Sequence, residues 1–160
     1  LEKSFPKHQL VIAGAPSLDA NFYFPILRNS KAKILYNQTY HLLSHAEAAA
    51  VTSGTATLET ALFEVPEVVC YKGNPISYWI AKRVITLPFI SLVNLIMEKE
   101  VVKELIQYDL NEENLKKEIR QILEPEHQEK LKKTYRSLQK KLGGNGASER
   151  TAKLIFKNLR

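Results

Sequence analysis

The stretch AAAVTSGTATLE, residues 48–59, decides the fold. Residues 48–51 are small and apolar, as the end of a buried strand is. Beyond them Leu58, Ala61, Leu62 and Val65 recur at helical spacing, until Pro66 bars continuation. The stretch therefore reads as a strand, a tight polar turn and a helix start. In α/β domains that junction is the usual place for a ligand.

The chemistry of the turn is local. N–H groups in the first turn of a helix lack intrahelical partners and lie at the positive end of the helix dipole. Gly54 offers no side chain to keep a ligand away from them, and Ser53 and Thr55 flank it with hydroxyls that can cap the helix or bond an anion. Glu59 follows on the second turn, where a carboxylate can accept bonds from neighbouring hydroxyls such as those of a ribose. Phosphate at the turn and sugar hydroxyls at the glutamate together suggest a nucleotide. The same residues also fit an ordinary helix cap followed by a solvated glutamate.

Outward from the turn, strands and helices alternate. Residues 9–15 (QLVIAGA) and 32–36 (AKILY) read as buried strands. Between them Leu18, Phe22 and Ile26 mark a helix with Ser17 as its cap and Pro25 near its end. Residues 40–46 give a short helix, 67–71 (EVVCY) a fourth strand, and 76–83 a fourth helix. Short connections between alternating elements predict an α/β fold, a parallel sheet with helices on both faces. Residues 91–96 are apolar around Asn94. From residue 100 onward the pattern reads as helical, in pieces divided at 108–109, at Pro125 and at 143–146. That predicts an α/β domain over 1–108 and packed helices over 109–160.

Composition narrows the partners. With 160 residues, 44% hydrophobic and 25% charged, the chain is an ordinary globular one with a single core. Its formal charge of +6 favours an anionic partner: nucleic acid, acidic lipid or a phosphorylated small molecule. Glutamates interleave with the lysines of 116–141, which argues against a nucleic-acid stripe. The aromatic and basic residues of 76–83 read as a core-facing helix, with a membrane-surface patch as the other reading. Cys70 lies in an apolar run as a small core residue and leaves no disulfide possible within the chain. His41 and His45 have zinc-compatible spacing but no companion ligands, and no metal site is expected. The glycines of 143–146 follow a helix rather than a strand and read as its C-cap.

Ser53-Gly54-Thr55-Ala56-Thr57-Leu58-Glu59, then Pro66 with Val68-Val69, Tyr78-Trp79-Ile80-Ala81-Lys82-Arg83, Ser91-Leu92-Val93-Asn94-Leu95, and Val102-Lys103-Glu104-Leu105-Ile106-Gln107 together resemble the lipid-A-disaccharide synthase family. The blocks match in order and spacing over 46–108; the sequence departs from the family at Val93, where proline usually precedes the asparagine. The resemblance implies the C-terminal, donor-binding half of a GT-B glycosyltransferase, a Rossmann-like domain without its first strand. Family members transfer 2,3-diacylglucosamine from UDP to 2,3-diacylglucosamine 1-phosphate with inversion, in lipid A biosynthesis. Carried over, Ser53, Gly54 and Thr55 would hold the UDP diphosphate and Glu59 the ribose. Asn94 would lie near the donor, with Glu104 and Gln107 beside it on one helix face.

The resemblance further implies a cytoplasmic protein, peripheral at the inner face of a Gram-negative inner membrane, with no cofactor or metal. The lipid acceptor and the catalytic base would belong to a first domain outside this chain, which holds no catalytic residue and is expected to be inactive alone. An anionic membrane surface and a homodimer are further expected partners. Two other readings stand beside it: the donor domain of another GT-B UDP-N-acetylglucosamine transferase, and a non-catalytic basic α/β binding module.

Overall fold

The computed structural model describes residues 1–74, 88–143 and 146–158. The helix expected over 76–83, with its aromatic and basic patch, lies outside the described residues, as do positions 144 and 145 of the glycine-rich segment. In chain order the elements are β1 (Val11–Gly14), α1 (Ala20–Leu27), β2 (Lys33–Tyr36), α2 (Thr39–Leu43), β3 (Ala49–Thr52), α3 (Thr55–Leu62), β4 (Glu67–Tyr71), α4 (Leu92–Met97), β5 (Lys103–Ile106), α5 (Glu112–Ile122), α6 (Pro125–Lys141) and α7 (Ala147–Asn158).

The fold is α/β with parallel strands, in two sheets among the described residues: β1–β2 and β3–β4–β5. Cys70 of β4 is in register with Thr52 on one side and Leu105 on the other. The carboxyl ends of β3, β4 and β5 therefore share one edge. At the end of β1, Gly14 is set against the Tyr36 ring so closely that a Cβ there would lie 2.5 Å from it. Any larger residue would require the Tyr36 ring to move.

β4 is the buried centre of the larger sheet. Val68 and Val69 join Ala61 of α3, Val93 of α4, Val102, Leu105 of β5, Ile122 of α5 and Leu131, Tyr135 and Leu138 of α6 in one core. Full burial of each such aliphatic side chain stabilises by about 1.5–3 kcal/mol. Leu131, Tyr135 and Leu138 recur at four and three residues, the stripe that a helix on a sheet requires. Pro125 opens α6 at its first turn, where a missing N–H costs nothing. Helices α5 and α6 thus share the core of the sheet they cover.

Two local expectations change, and the position of Pro25 near the end of α1 is as expected. Residues 103–106 form strand β5, not helix. Val102 and Leu105 stand three apart and mimic a helical stripe, and Lys, Glu and Leu are good helix formers. Backbone pairing with β4 overrides that preference. Helix α1 is capped by Asp19, which accepts from Phe22 N at 3.2 Å, rather than by Ser17. Pro25 lies inside α1, which runs on to Leu27.

Glu67, at the amino end of β4, is fully buried, and both its carboxyl oxygens and the Tyr135 hydroxyl lack hydrogen-bond partners. Burial pushes the Glu67 carboxyl well above the usual carboxylate range. Burial, with Glu67 adding to it, likewise raises the Tyr135 hydroxyl. The group lies at the amino end of β4, opposite the carboxyl edge of the sheet.

Candidate functional site: two helix ends at the carboxyl edge

β3 delivers the turn. Ser53 N donates to Cys70 O at 3.3 Å, which ties the first turn residue to β4. Gly54 then takes φ 153° and ψ −161°, a region open in practice to glycine alone. Among the described residues a Cβ on Gly54 would meet nothing within 4 Å, so the glycine is required by its backbone rather than by crowding. Gly54 is the N-cap of α3, and no side chain caps that end. Thr57 turns inward instead: its N–H and its hydroxyl both donate to Gly54 O, at 3.2 and 2.8 Å.

The flanking hydroxyls divide. Thr55 is exposed. Ser53 Oγ donates to Ile90 O at 2.9 Å, across 37 residues of sequence. Glu59 is half-buried on the next turn of α3, on the helix that Gly54 opens. Gly54, Thr55 and Glu59 thus form one group at the start of α3, with an end of helix whose dipole and N–H groups suit an anion.

Asn94 and Glu104 form a second group. Asn94 is fully buried. Its Oδ1 accepts from Val101 N at 2.7 Å and Val102 N at 3.0 Å, and its Nδ2 donates to Val102 O and Glu104 Oε1, both at 2.9 Å. Both amide hydrogens and both acceptor positions are engaged. Glu104 reaches from β5 to the start of α4. Its Oε2 accepts from Ile90 N at 3.0 Å and its Oε1 from Ser91 N at 2.9 Å. Ser91 caps α4 by accepting from Asn94 N at 3.3 Å.

Gln107 stands at the carboxyl end of β5, in a left-handed conformation with φ 53°. It is 8% exposed, and its Nε2 is a buried donor without a partner. Glu104 and Gln107 therefore belong to a strand and its end, not to one helix face. The structure joins Ser53, Asn94 and Glu104 through residues 90 and 91, while Gly54, Thr55 and Glu59 group at α3. The residue that sequence reasoning missed is Ile90. It takes part through its backbone N–H and C=O, which no side-chain pattern marks.

Among the described residues there is no group of three His, Cys, Asp or Glu side chains placed to hold a metal ion. None of their helices is long and apolar enough to cross a membrane.

Comparison with known proteins gives the family. A family model described as lipid-A-disaccharide synthetase matches residues 1–157. A lipid-A-disaccharide synthase of Geobacter sulfurreducens is 33% identical over 162 residues, covering 99% of this chain and 42% of that protein. One of Syntrophus aciditrophicus is 41% identical over 121 residues, covering 75% of this chain and 32% of the relative. A third, of Persephonella marina, is 36% identical over 118 residues, covering 73% of this chain and 31% of the relative. The chain spans less than half the length of these relatives. The chain belongs to the lipid-A-disaccharide synthase family.

Proposed function

We propose that this chain is the UDP-sugar-binding part of a lipid-A-disaccharide synthase. The activity of the whole protein would be transfer of 2,3-diacylglucosamine from UDP to 2,3-diacylglucosamine 1-phosphate, with inversion at the anomeric carbon. The observation that carries the reading is the end of α3. Gly54 presents helix N–H groups with no side-chain cap, and Glu59 follows one turn on. Phosphate oxygens suit the first and ribose hydroxyls the second. Asn94, Glu104 and Gln107 would belong to the same rim, at the ends of the neighbouring elements.

On this reading residues 1–108 are the donor domain and 109–160 the helices that cover it. Inverting transfer needs a general base on the acceptor face, and that base and the lipid acceptor site would lie in another domain, so this chain alone would be inactive. The division of the strands into two sheets is consistent with a further strand between β1 and β3, supplied by the rest of the polypeptide. His8, just before β1, and Glu47, just before β3, meet at 3.2 Å, which keeps the two strand starts within reach of two side chains. The whole protein would work at the cytoplasmic face of the inner membrane, touching anionic lipid, with homodimer formation as a further expectation.

The test is calorimetric titration of the full-length polypeptide with UDP, with ADP as control. Selective UDP binding is expected, weakened about tenfold or more by Glu59→Ala and further by Gly54→Val. Equal affinity for UDP and ADP, or unchanged UDP affinity in both variants, would overturn the reading.

A further inference from the structure

We propose that Glu104 is a positioning residue, which fixes the hydroxyl of Ser53 at the phosphate turn through the backbone of Ile90 and does not itself touch the donor. The inference rests on the donor-site reading and changes the part Glu104 plays in it.

The carboxylate is already engaged from within the protein. It accepts from Ile90 N at 3.0 Å, Ser91 N at 2.9 Å and the Asn94 side-chain amide at 2.9 Å. A carboxylate receiving several N–H groups is held by charge-assisted bonds, each stronger than a neutral one. A ligand hydroxyl at Glu104 would have to share the carboxylate with these three internal donors. Two of those donors are backbone N–H groups at the start of α4, so the carboxylate serves that helix end as an internal anion.

The connection to the turn runs through one residue. Ile90 gives its N–H to Glu104 and receives the Ser53 hydroxyl on its carbonyl oxygen, at 2.9 Å. Ser53 thereby commits its only hydrogen to Ile90, and its remaining capacity is to accept. Its own N–H is tied to Cys70 O. Ser53 is thus fixed on both sides beside Gly54, whose backbone sits in a region that persists only when its surroundings hold it there. Glu104 is the one charged group in this chain of contacts. Asn94 supports it by fixing the carboxylate from behind and by tying α4 to residues 101 and 102.

A double-mutant cycle separates positioning from contact. In the full-length protein, UDP affinity is measured for Ser53→Ala, Glu104→Gln and the two combined, with Ser53→Thr as the hydroxyl-retaining variant. If Glu104 acts through Ser53, each single change weakens UDP binding about tenfold and the double variant stays within about twofold of the weaker single one. Ser53→Thr keeps near-native affinity. Amide exchange at Ile90 and Ser91 speeds up in Glu104→Gln, an effect that lost ligand contact alone would not produce. Losses that multiply to about a hundredfold in the double variant would overturn the inference and leave the donor site standing. Absence of UDP binding by the unsubstituted protein would overturn the donor reading and the inference with it. Should Glu104→Gln fail to fold, Ser53→Ala decides: faster exchange at Ile90 supports the connection, and unchanged exchange overturns it.

Discussion

Two helices begin at the carboxyl edge of the larger sheet, and their ends are finished in opposite ways. The start of α4 is tied down from within: Ser91 caps it, Glu104 accepts from the N–H groups of Ile90 and Ser91 just ahead of it, and Asn94 seals the loop behind. The start of α3 has only Gly54, with no capping side chain and, among the described residues, no atom near where a Cβ would stand. Unsatisfied helix N–H groups are costly when buried, so proteins normally supply a side chain for them. One helix here has that provision in excess, while its neighbour goes without. The difference is that an internal carboxylate already sits at the approach to α4, whereas the start of α3 carries no side-chain cap among the described residues.

The largest expected effect comes from untying the first of these ends. Asn94→Ala removes four bonds and leaves the N–H groups of Val101 and Val102 without their acceptor. Thermal and denaturant unfolding should show a loss of about 3 kcal/mol. A loss below about 1 kcal/mol would mean that water or another side chain replaces the amide, and the contrast between the two ends would weaken.

Gly54→Ala probes the other end and is expected to cost about 2 kcal/mol, through backbone strain alone, since among the described residues a Cβ there meets no atom. The sharper form of the comparison adds UDP to the same variant. If the glycine is needed to hold the anion-binding geometry, affinity falls along with stability; if stability alone falls, the conformation matters to the fold and not to the ligand.

The smallest effect concerns a second buried carboxyl, Glu67, which unlike Glu104 has no hydrogen-bond partner. Its folded-state pKa is raised by burial, above that of the unfolded chain. Its contribution to stability is therefore full below the unfolded carboxyl value, about 4.3, and is lost as pH rises towards the folded value. Glu67→Gln should match the parent near pH 4 and become more stable than it by about 1 kcal/mol or more towards pH 8. Denaturant unfolding across that range measures it, and a difference that stays constant with pH would show that Glu67 is not held neutral.

Much of this architecture is legible in local sequence. Residues 48–59 contain their own strand, turn and helix signals, and the alternation around them gives the α/β class without any long-range knowledge. The misreadings have physical causes of their own. Val102 and Leu105 carry a spacing that suits a helix, and pairing with β4 makes residues 103–106 a strand instead. At α1 two capping residues stand two positions apart, Ser17 and Asp19, and the geometry of the loop selects the second. The roles of Ser53, Asn94 and Glu104 depend on bonds that span from 7 to 37 residues and pass through the backbone of Ile90. Side-chain patterns can name such residues as polar and out of place. What they bond is decided by the fold.

The distribution of the core has a consequence for how the molecule opens. The main buried cluster draws on residues between Ala61 and Leu138, and the smaller sheet adds none of its own to it. Before residue 61 the buried hydrophobics among the described residues are Tyr23 and Leu43. Cooperative units with few buried contacts exchange their amides first. Residues 1–46 are thus the early-opening unit, and β3, β4 and β5 with α5 and α6 the late one. Ser53 is bonded to Cys70 of β4 in the late unit, and to Ile90, which Glu104 of β5 holds. The turn at the start of α3 is therefore expected to keep its shape through fluctuations that unzip the first two strands.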